Sequence, residues 1–147
     1  MNAYKRILAA VDGSAASNKG LREALRLAKR EGARLVILNV VNDFIAFTAV
    51  DGPAPVDLVP MLRESGKRIL ARARATAEKA KVRPTIVMRE IVGGPAADAI
   101  VREARKQRAD LIVLGTHGRR GLRRLVMGSD AEQVVRTSPV PVLLVRA

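Results

Sequence analysis

The chain has no cysteine and no tryptophan, a single histidine, one tyrosine and two phenylalanines among 147 residues. Without cysteine it holds neither a disulfide framework nor a thiolate nucleophile. With only Tyr4, Phe44 and Phe47 as rings, it lacks the stacking platforms of a single-strand nucleic-acid binder. No apolar run approaches the ~18 residues of a membrane-spanning helix. The first residues, Met1 to Leu8, pass straight into a strand-like segment. They show no separate apolar stretch and small-residue cleavage site of a secretory signal, so a cytoplasmic location is expected. Negative charge is scarce as well: 14 acids stand against 27 lysines and arginines, a formal net charge of +13. Such a surplus attracts nucleotides, nucleic acid or anionic lipid. It also arises from arginines on solvated helix faces, and the spread of cations through the whole chain favours that reading.

Apolar residues make up 48% of the chain, enough for a real core, and the length suits one domain, residues 1–147. Lys5–Val11 reads as a first strand ending in the turn and N-cap signal Asp12-Gly-Ser14. Leu21, Ala24, Leu25 and Ala28 recur at helical spacing, and Gly32 closes that helix. Arg34–Val41 is apolar nearly throughout, as expected of a strand covered on both faces. Asn42–Pro60 is irregular, holds both phenylalanines and three prolines, and reads as a functional or partner-facing connection or as an excursion packed on its own domain. A helix follows over Met61–Lys81, a strand over Pro84–Ile91, and then Gly93-Gly94-Pro95, with Pro95 suited to a first helical position. The next helix carries Ala99, Ile100, Val101 and Ala104; Asp110–Leu114 and Val140–Val145 read as the last two strands. Strands alternating with helices predict an α/β fold: a parallel sheet with helices on both faces.

One stretch organises the rest: Gly115-Thr-His-Gly118, nine residues, then Gly128-Ser129. It follows a buried strand and precedes the helix Asp130–Arg136, with Ser129 as N-cap. Glycines let a backbone approach a phosphate, amide N–H groups point inward, and the helix dipole favours negative charge. The plainer reading is that these glycines only shape a turn and open a helix. In a parallel sheet the ligand crevice lies where strand order reverses. If the first three strands grow one way and the last two the other, Asp12 and Gly115 end the two strands that flank it.

With these residues in place, the chain resembles the universal stress protein family, in its ATP-binding branch. The resemblance spans essentially the whole chain. It rests on Ile7-Leu-Ala-Ala-Val-Asp-Gly-Ser14, Leu35-Val-Ile-Leu-Asn-Val40, Gly93-Gly94-Pro95, Asp110-Leu-Ile-Val-Leu-Gly-Thr-His-Gly-Arg-Arg-Gly-Leu122, and Gly128-Ser129 through Pro139-Val-Pro-Val-Leu-Leu-Val145. It implies a doubly wound, Rossmann-like five-stranded parallel sheet in the order 3-2-1-4-5. The implied ligand is ATP, its phosphates held by Gly115, Gly118, Gly128 and Ser129. Asp12 would hold the ribose hydroxyls and approach an accompanying Mg or Mn ion, and the backbone at Val40 would meet the adenine edge. A homodimer and a role in stress survival belong to the same expectation.

Read from the residues themselves, Asp12 either accepts from ribose hydroxyls or serves as a helix N-terminal partner. His117 either donates to phosphate or stands in solvent. Arg119, Arg120, Arg123 and Arg124 clamp phosphates, bind a polyanion or are solvated. Asp130 departs from the family, which commonly has an uncharged residue there; a carboxylate beside a triphosphate either points away or joins a metal shell.

Three functions compete: a regulatory ATP-binding protein, a slow ATPase or phosphotransferase, and a basic module binding nucleic acid or another polyanion. No Walker-type Gly-x4-Gly-Lys-Ser/Thr is present and His117 is the one candidate base beside the loop, so little hydrolysis is expected. A receiver domain is disfavoured because Asp12 is followed by Gly13, and Glu90-Ile91-Val92-Gly93 stands where its phosphate-accepting aspartate would be. The apolar strand Val140–Val145, with nothing downstream but Arg146-Ala147, is expected at a sheet edge and as the seam of a homodimer.

Overall fold

The computed structural model describes residues 2–43, 58–117 and 127–147. Its elements are β1 (Arg6–Ala10), α1 (Ala15–Glu31), β2 (Arg34–Asn42), α2 (Leu58–Lys79), β3 (Thr85–Ile91), α3 (Ala96–Lys106), β4 (Leu111–Gly115), α4 (Ser129–Thr137) and β5 (Val142–Val145). The strands form one parallel five-stranded sheet in the order β3-β2-β1-β4-β5. The parallel α/β sheet read from the strand–helix alternation is therefore present, in the Rossmann-like order that the family resemblance implied.

Successive side chains of a strand point to opposite faces, and both faces here are covered, which is why the strands read as unbroken apolar runs. Ile7, Ala9, Leu35, Ile37, Leu111 and Val113 face α1 and α2, where Leu21, Leu25, Leu70, Ala73 and Ala77 meet them. Leu8, Val36, Leu38, Ile112 and Leu114 face α3 and α4, against Ile100, Val101, Ala131 and Val134. Ile7, Leu8, Leu35, Ile37, Leu38 and Ile112 are fully buried, each contributing about 1.5–3 kcal/mol of transfer free energy.

Helix ends follow local chemistry. Ser14, extended at φ −71°, caps α1 by accepting the Ser17 N–H, and Gly32 closes it in the left-handed region at φ 65°. Several boundaries differ from the sequence reading: α2 begins at Leu58, inside the segment read as irregular, and ends at Lys79 rather than Lys81, and Pro95 is the N-cap of α3 rather than its first residue. Two further differences have a local cause. Gly128, not Ser129, is the N-cap of α4: it is extended, and its carbonyl accepts the Glu132 N–H at 2.9 Å. β5 starts at Val142 rather than Val140, because Ser138 turns the chain by accepting from Val140 N–H and donating to its carbonyl. Residues 44–57, which include Phe44 and Phe47 of the irregular connection, and residues 118–126, which include Gly118, Arg119, Arg120, Arg123 and Arg124, lie outside the described residues.

All strands being parallel, their carboxyl ends share one side of the molecule. β1 leads into α1 on one face and β4 leads toward α4 on the other. The two chain paths diverge above adjacent strands and leave a crevice between them.

Candidate functional site

The candidate site is built from the turns after β1 and β4 and from the carboxyl half of β2. After β1 the chain passes through Asp12, Gly13 (φ 84°) and Ser14. Ser14 N–H donates to Asp12 Oδ1 at 2.9 Å, and Asp12 N–H donates to the buried Ser17 Oγ at 3.0 Å. These bonds lock the turn and orient the first turn of α1, which carries no acidic side chain to offset its positive end. The helix-partner role open to Asp12 from the sequence is thus filled locally.

After β4 come Thr116 and His117. Ser14 Oγ donates to the His117 carbonyl at 3.2 Å, tying the two turns together across 103 residues of sequence. Gly128 N–H donates to the Thr116 carbonyl at 2.7 Å, and Thr116 N–H to the Val145 carbonyl at 2.9 Å. The start of α4 is thereby fastened to the same loop. Asp12, Gly115, His117 and Gly128 accordingly meet at one end of the sheet. Ser129 is exposed as the first residue of α4, and Asp130 beside it is exposed too.

The third part is the carboxyl half of strand β2. Val11 N–H donates to the Leu38 carbonyl, and the buried Asn39 amide donates to the Val11 carbonyl, both at 2.8 Å. Backbone groups of a parallel strand alternate between its two edges. Leu38 faces β1, so Val40, two residues on, presents its N–H and carbonyl on the same side, beyond the end of β1. Its side chain packs into the core on the α3 face.

Gly115 has a structural demand of its own. A Cβ there would lie 2.6 Å from Ser17 N and 2.7 Å from the Ala16 carbonyl carbon. Its missing side chain lets the end of β4 touch the start of α1. Two polar atoms have the opposite character: Thr116 Oγ1 and His117 Nδ1 are buried and have no hydrogen-bond partner among the described residues. Leaving such groups unpaired costs about 1–3 kcal/mol each, the kind of deficit that a polar ligand removes.

A second polar cluster caps β2 and β3. Arg63 of α2 grips Glu90 through two bonds of 2.8 and 2.6 Å. Asp43 is buried beside them, and burial followed by the neighbouring Glu90 pushes its carboxyl up from the ordinary value. Arg63, then Asp43 donating to it, hold Glu90 down at about 2. Sequence reading missed Thr116, Ser17, Asn39 and Asp43. Asn39 was visible as the polar residue inside an apolar run, and Ser17 lies only three and five residues from its partners Ser14 and Asp12; Thr116 and Asp43 carried no signal, since their neighbours come from distant segments. Among the described residues no group of three His, Cys, Asp or Glu side chains is placed to hold a metal ion.

Compared with known proteins, residues 3–146 match the model of the universal stress protein family. The chain belongs to that family. It is 35% identical over 146 residues to a universal stress protein of Methanocaldococcus jannaschii, covering 99% of this chain and 84% of that one. Among solved structures, a family member from Burkholderia pseudomallei is 35% identical and superposes with a TM-score of 0.79 over 98% of this chain and 97% of that one. Another, a universal stress protein in complex with cAMP, is 28% identical with a TM-score of 0.67 over 99% and 98%. The family thus matches the resemblance seen in the sequence motifs, over nearly the whole chain.

Proposed function

We propose that this universal stress protein binds an adenine nucleotide, ATP, in the crevice between β1 and β4, and that it acts as a regulatory or stress-survival protein rather than an enzyme. The observation that carries the reading is the pair of buried polar atoms, Thr116 Oγ1 and His117 Nδ1, that have no partner among the described residues and lie on a loop pinned by Ser14 and Gly128. A relative solved with cAMP supports an adenine nucleotide as the ligand class. In this reading the phosphates lie on the loop bounded by Gly115, Gly118, Gly128 and Ser129, with His117 donating. Asp12 receives the ribose hydroxyls on its carboxylate, which accepts hydrogen bonds only. The backbone of Val40, past the end of β1, reads the adenine edge. A Mg or Mn ion would approach Asp12 and draw its remaining ligands from phosphate and water, as such ions commonly do. The same reading places a homodimer seam on β5.

Nucleotide released on denaturing the purified protein is expected to be ATP. Titration calorimetry should show binding that is lost in Gly128→Val, where a branched side chain fills the space beside the phosphates. Wild-type affinity in that variant would overturn the site. Turnover should be negligible against an ordinary enzyme rate of about 10 per second; sustained turnover near that value with magnesium, abolished by His117→Ala, would make the protein an enzyme.

A further inference from the structure

On the opposite flank of the sheet, helix α2 and strand β3 leave a groove between them. It consists of two adjoining hollows of about 540 and 440 Å³ that share Arg74 and Glu78. The floor is apolar: Leu70, Ala71, Ala75, Ile86 and Met88. Among the described residues its banks carry Lys67, Arg74, Lys81 and Arg83 against the single carboxylate of Glu78. The Arg63–Glu90 ion pair joins helix to strand near the carboxyl end of β3, and Pro84 lines the other end.

The strand beside the groove is an open edge. β3 pairs with β2 and, among the described residues, with no strand on its other side. The Ile91 carbonyl accepts the Asp43 N–H, and the register from Thr85 to Ile91 runs without a break. By the alternation of backbone groups, Ile86, Met88 and Glu90 therefore present their N–H and carbonyl groups outward. An unpaired edge of this kind recruits another strand. A second copy of this chain is a poor occupant, because two basic banks would face each other and like charges at an interface are costly. Nucleic acid would gain from the cations but would leave the apolar floor uncovered, and among the described residues no aromatic ring lines the groove to stack a base.

We propose that this groove docks an extended acidic segment of a partner protein. Its backbone pairs with the outward groups of Ile86 and Met88, its apolar side chains lie on the floor, and its carboxylates meet Arg74 and Lys81. The site is separate from the nucleotide crevice and needs no nucleotide.

The test uses the full chain and a fluorescein-labelled peptide, Thr-Glu-Thr-Leu-Thr-Leu-Thr-Glu, whose alternate residues set Glu, Leu, Leu and Glu on one face. Fluorescence anisotropy should show saturable binding. Affinity should fall by about tenfold or more when lysines replace the peptide's glutamates, or in Arg74→Glu/Lys81→Glu protein, because close charge pairs at an interface then become repulsive. Amide exchange at Ile86 and Met88 should slow on binding while that at Val87, which faces β2, does not change. Absence of binding overturns the proposal. So does equal binding of the lysine peptide, or slowed exchange confined to other elements. Tighter binding of a short DNA duplex, lost in the same protein variant, would reassign the groove to nucleic acid. A variant with an altered circular dichroism spectrum is replaced by Ala75→Leu, which fills the floor without changing charge and should weaken the peptide alone.

Discussion

Asp43 and Glu90 show how one neighbour sets another's charge. Glu90 titrates at about 2 instead of its ordinary 4.5 because Arg63 and then Asp43 bond to its carboxylate. A depressed folded value means that the stabilisation is present above the ordinary carboxylate range and is lost as pH falls toward about 2. Urea unfolding of wild type and Glu90→Gln should therefore differ most above pH 4.5, with the gap closing as the solution is acidified. A constant gap across that window would mean that the ion pair contributes nothing. Asp43 has the opposite sign: its carboxyl is raised, so what it contributes is present in acid and lost as pH rises through the raised value. At the same scale, Thr116→Val removes a buried hydroxyl that has no partner among the described residues. We expect the nucleotide-free protein to gain about 1 kcal/mol in unfolding free energy while ATP affinity falls. Unchanged affinity in calorimetry would show that the hydroxyl does not face the ligand.

At the scale of elements, the site depends on how closely α1 approaches the end of β4. Gly115→Ala would put a Cβ 2.6 Å from Ser17 N and 2.7 Å from the Ala16 carbonyl carbon, both backbone atoms at the rigid start of a helix. Neither can swing aside as a side-chain tip would, so α1 must shift from β4. Overpacking of this kind costs about 1–3 kcal/mol. The Ser14–His117 bond should break with it. Thermal unfolding and ATP titration check both parts: the variant should melt lower and bind more weakly. Wild-type behaviour would mean that the helix accommodates a methyl group. Gly66 plays a like role on the other side of α1's neighbour, where a Cβ would lie 2.8 Å from Asn39 Oδ1 and hold α2 off the sheet.

For the whole molecule the sheet has two edges, and their character differs. β3 is flanked by the basic groove, whereas β5 carries four apolar residues, Val142 to Val145, each half-buried. Ile112 and Thr116 donate their N–H groups to the Pro141 and Val145 carbonyls, so by alternation Val142 and Leu144 point their backbone groups outward. A twofold pairing of β5 would close both copies' edges at once. Sedimentation should give a dimer for wild type and a monomer for Val142→Pro, which deletes an outward donor and spares the β4 ladder. Leu143 and Leu144 pack into the two core layers, so lysine there would unsettle the fold as well as the seam and is the weaker test. A wild-type monomer at micromolar concentration would exclude the pairing.

Much of this architecture is written along the chain. Nearly continuous apolar runs such as Arg34–Asn42, interrupted inside only by Asn39, demand cover on both faces, and the helices between them supply it. Ser14 and Gly32 bound α1 through contacts only a few residues away. Local chemistry suffices for these because its partners are adjacent in sequence. The glycine loop is legible in the sequence as the proposed ligand site, but why Gly115 is glycine depends on Ala16 and Ser17, brought beside it only by the β1–β4 pairing. The burial of Thr116 Oγ1, the Asp43–Glu90–Arg63 cluster and the outer edge of β3, unpaired among the described residues, were likewise decided by tertiary structure. Strand order determines which segments become neighbours, and a polar atom's partners, or lack of them, follow from those neighbours rather than from its own place in the chain.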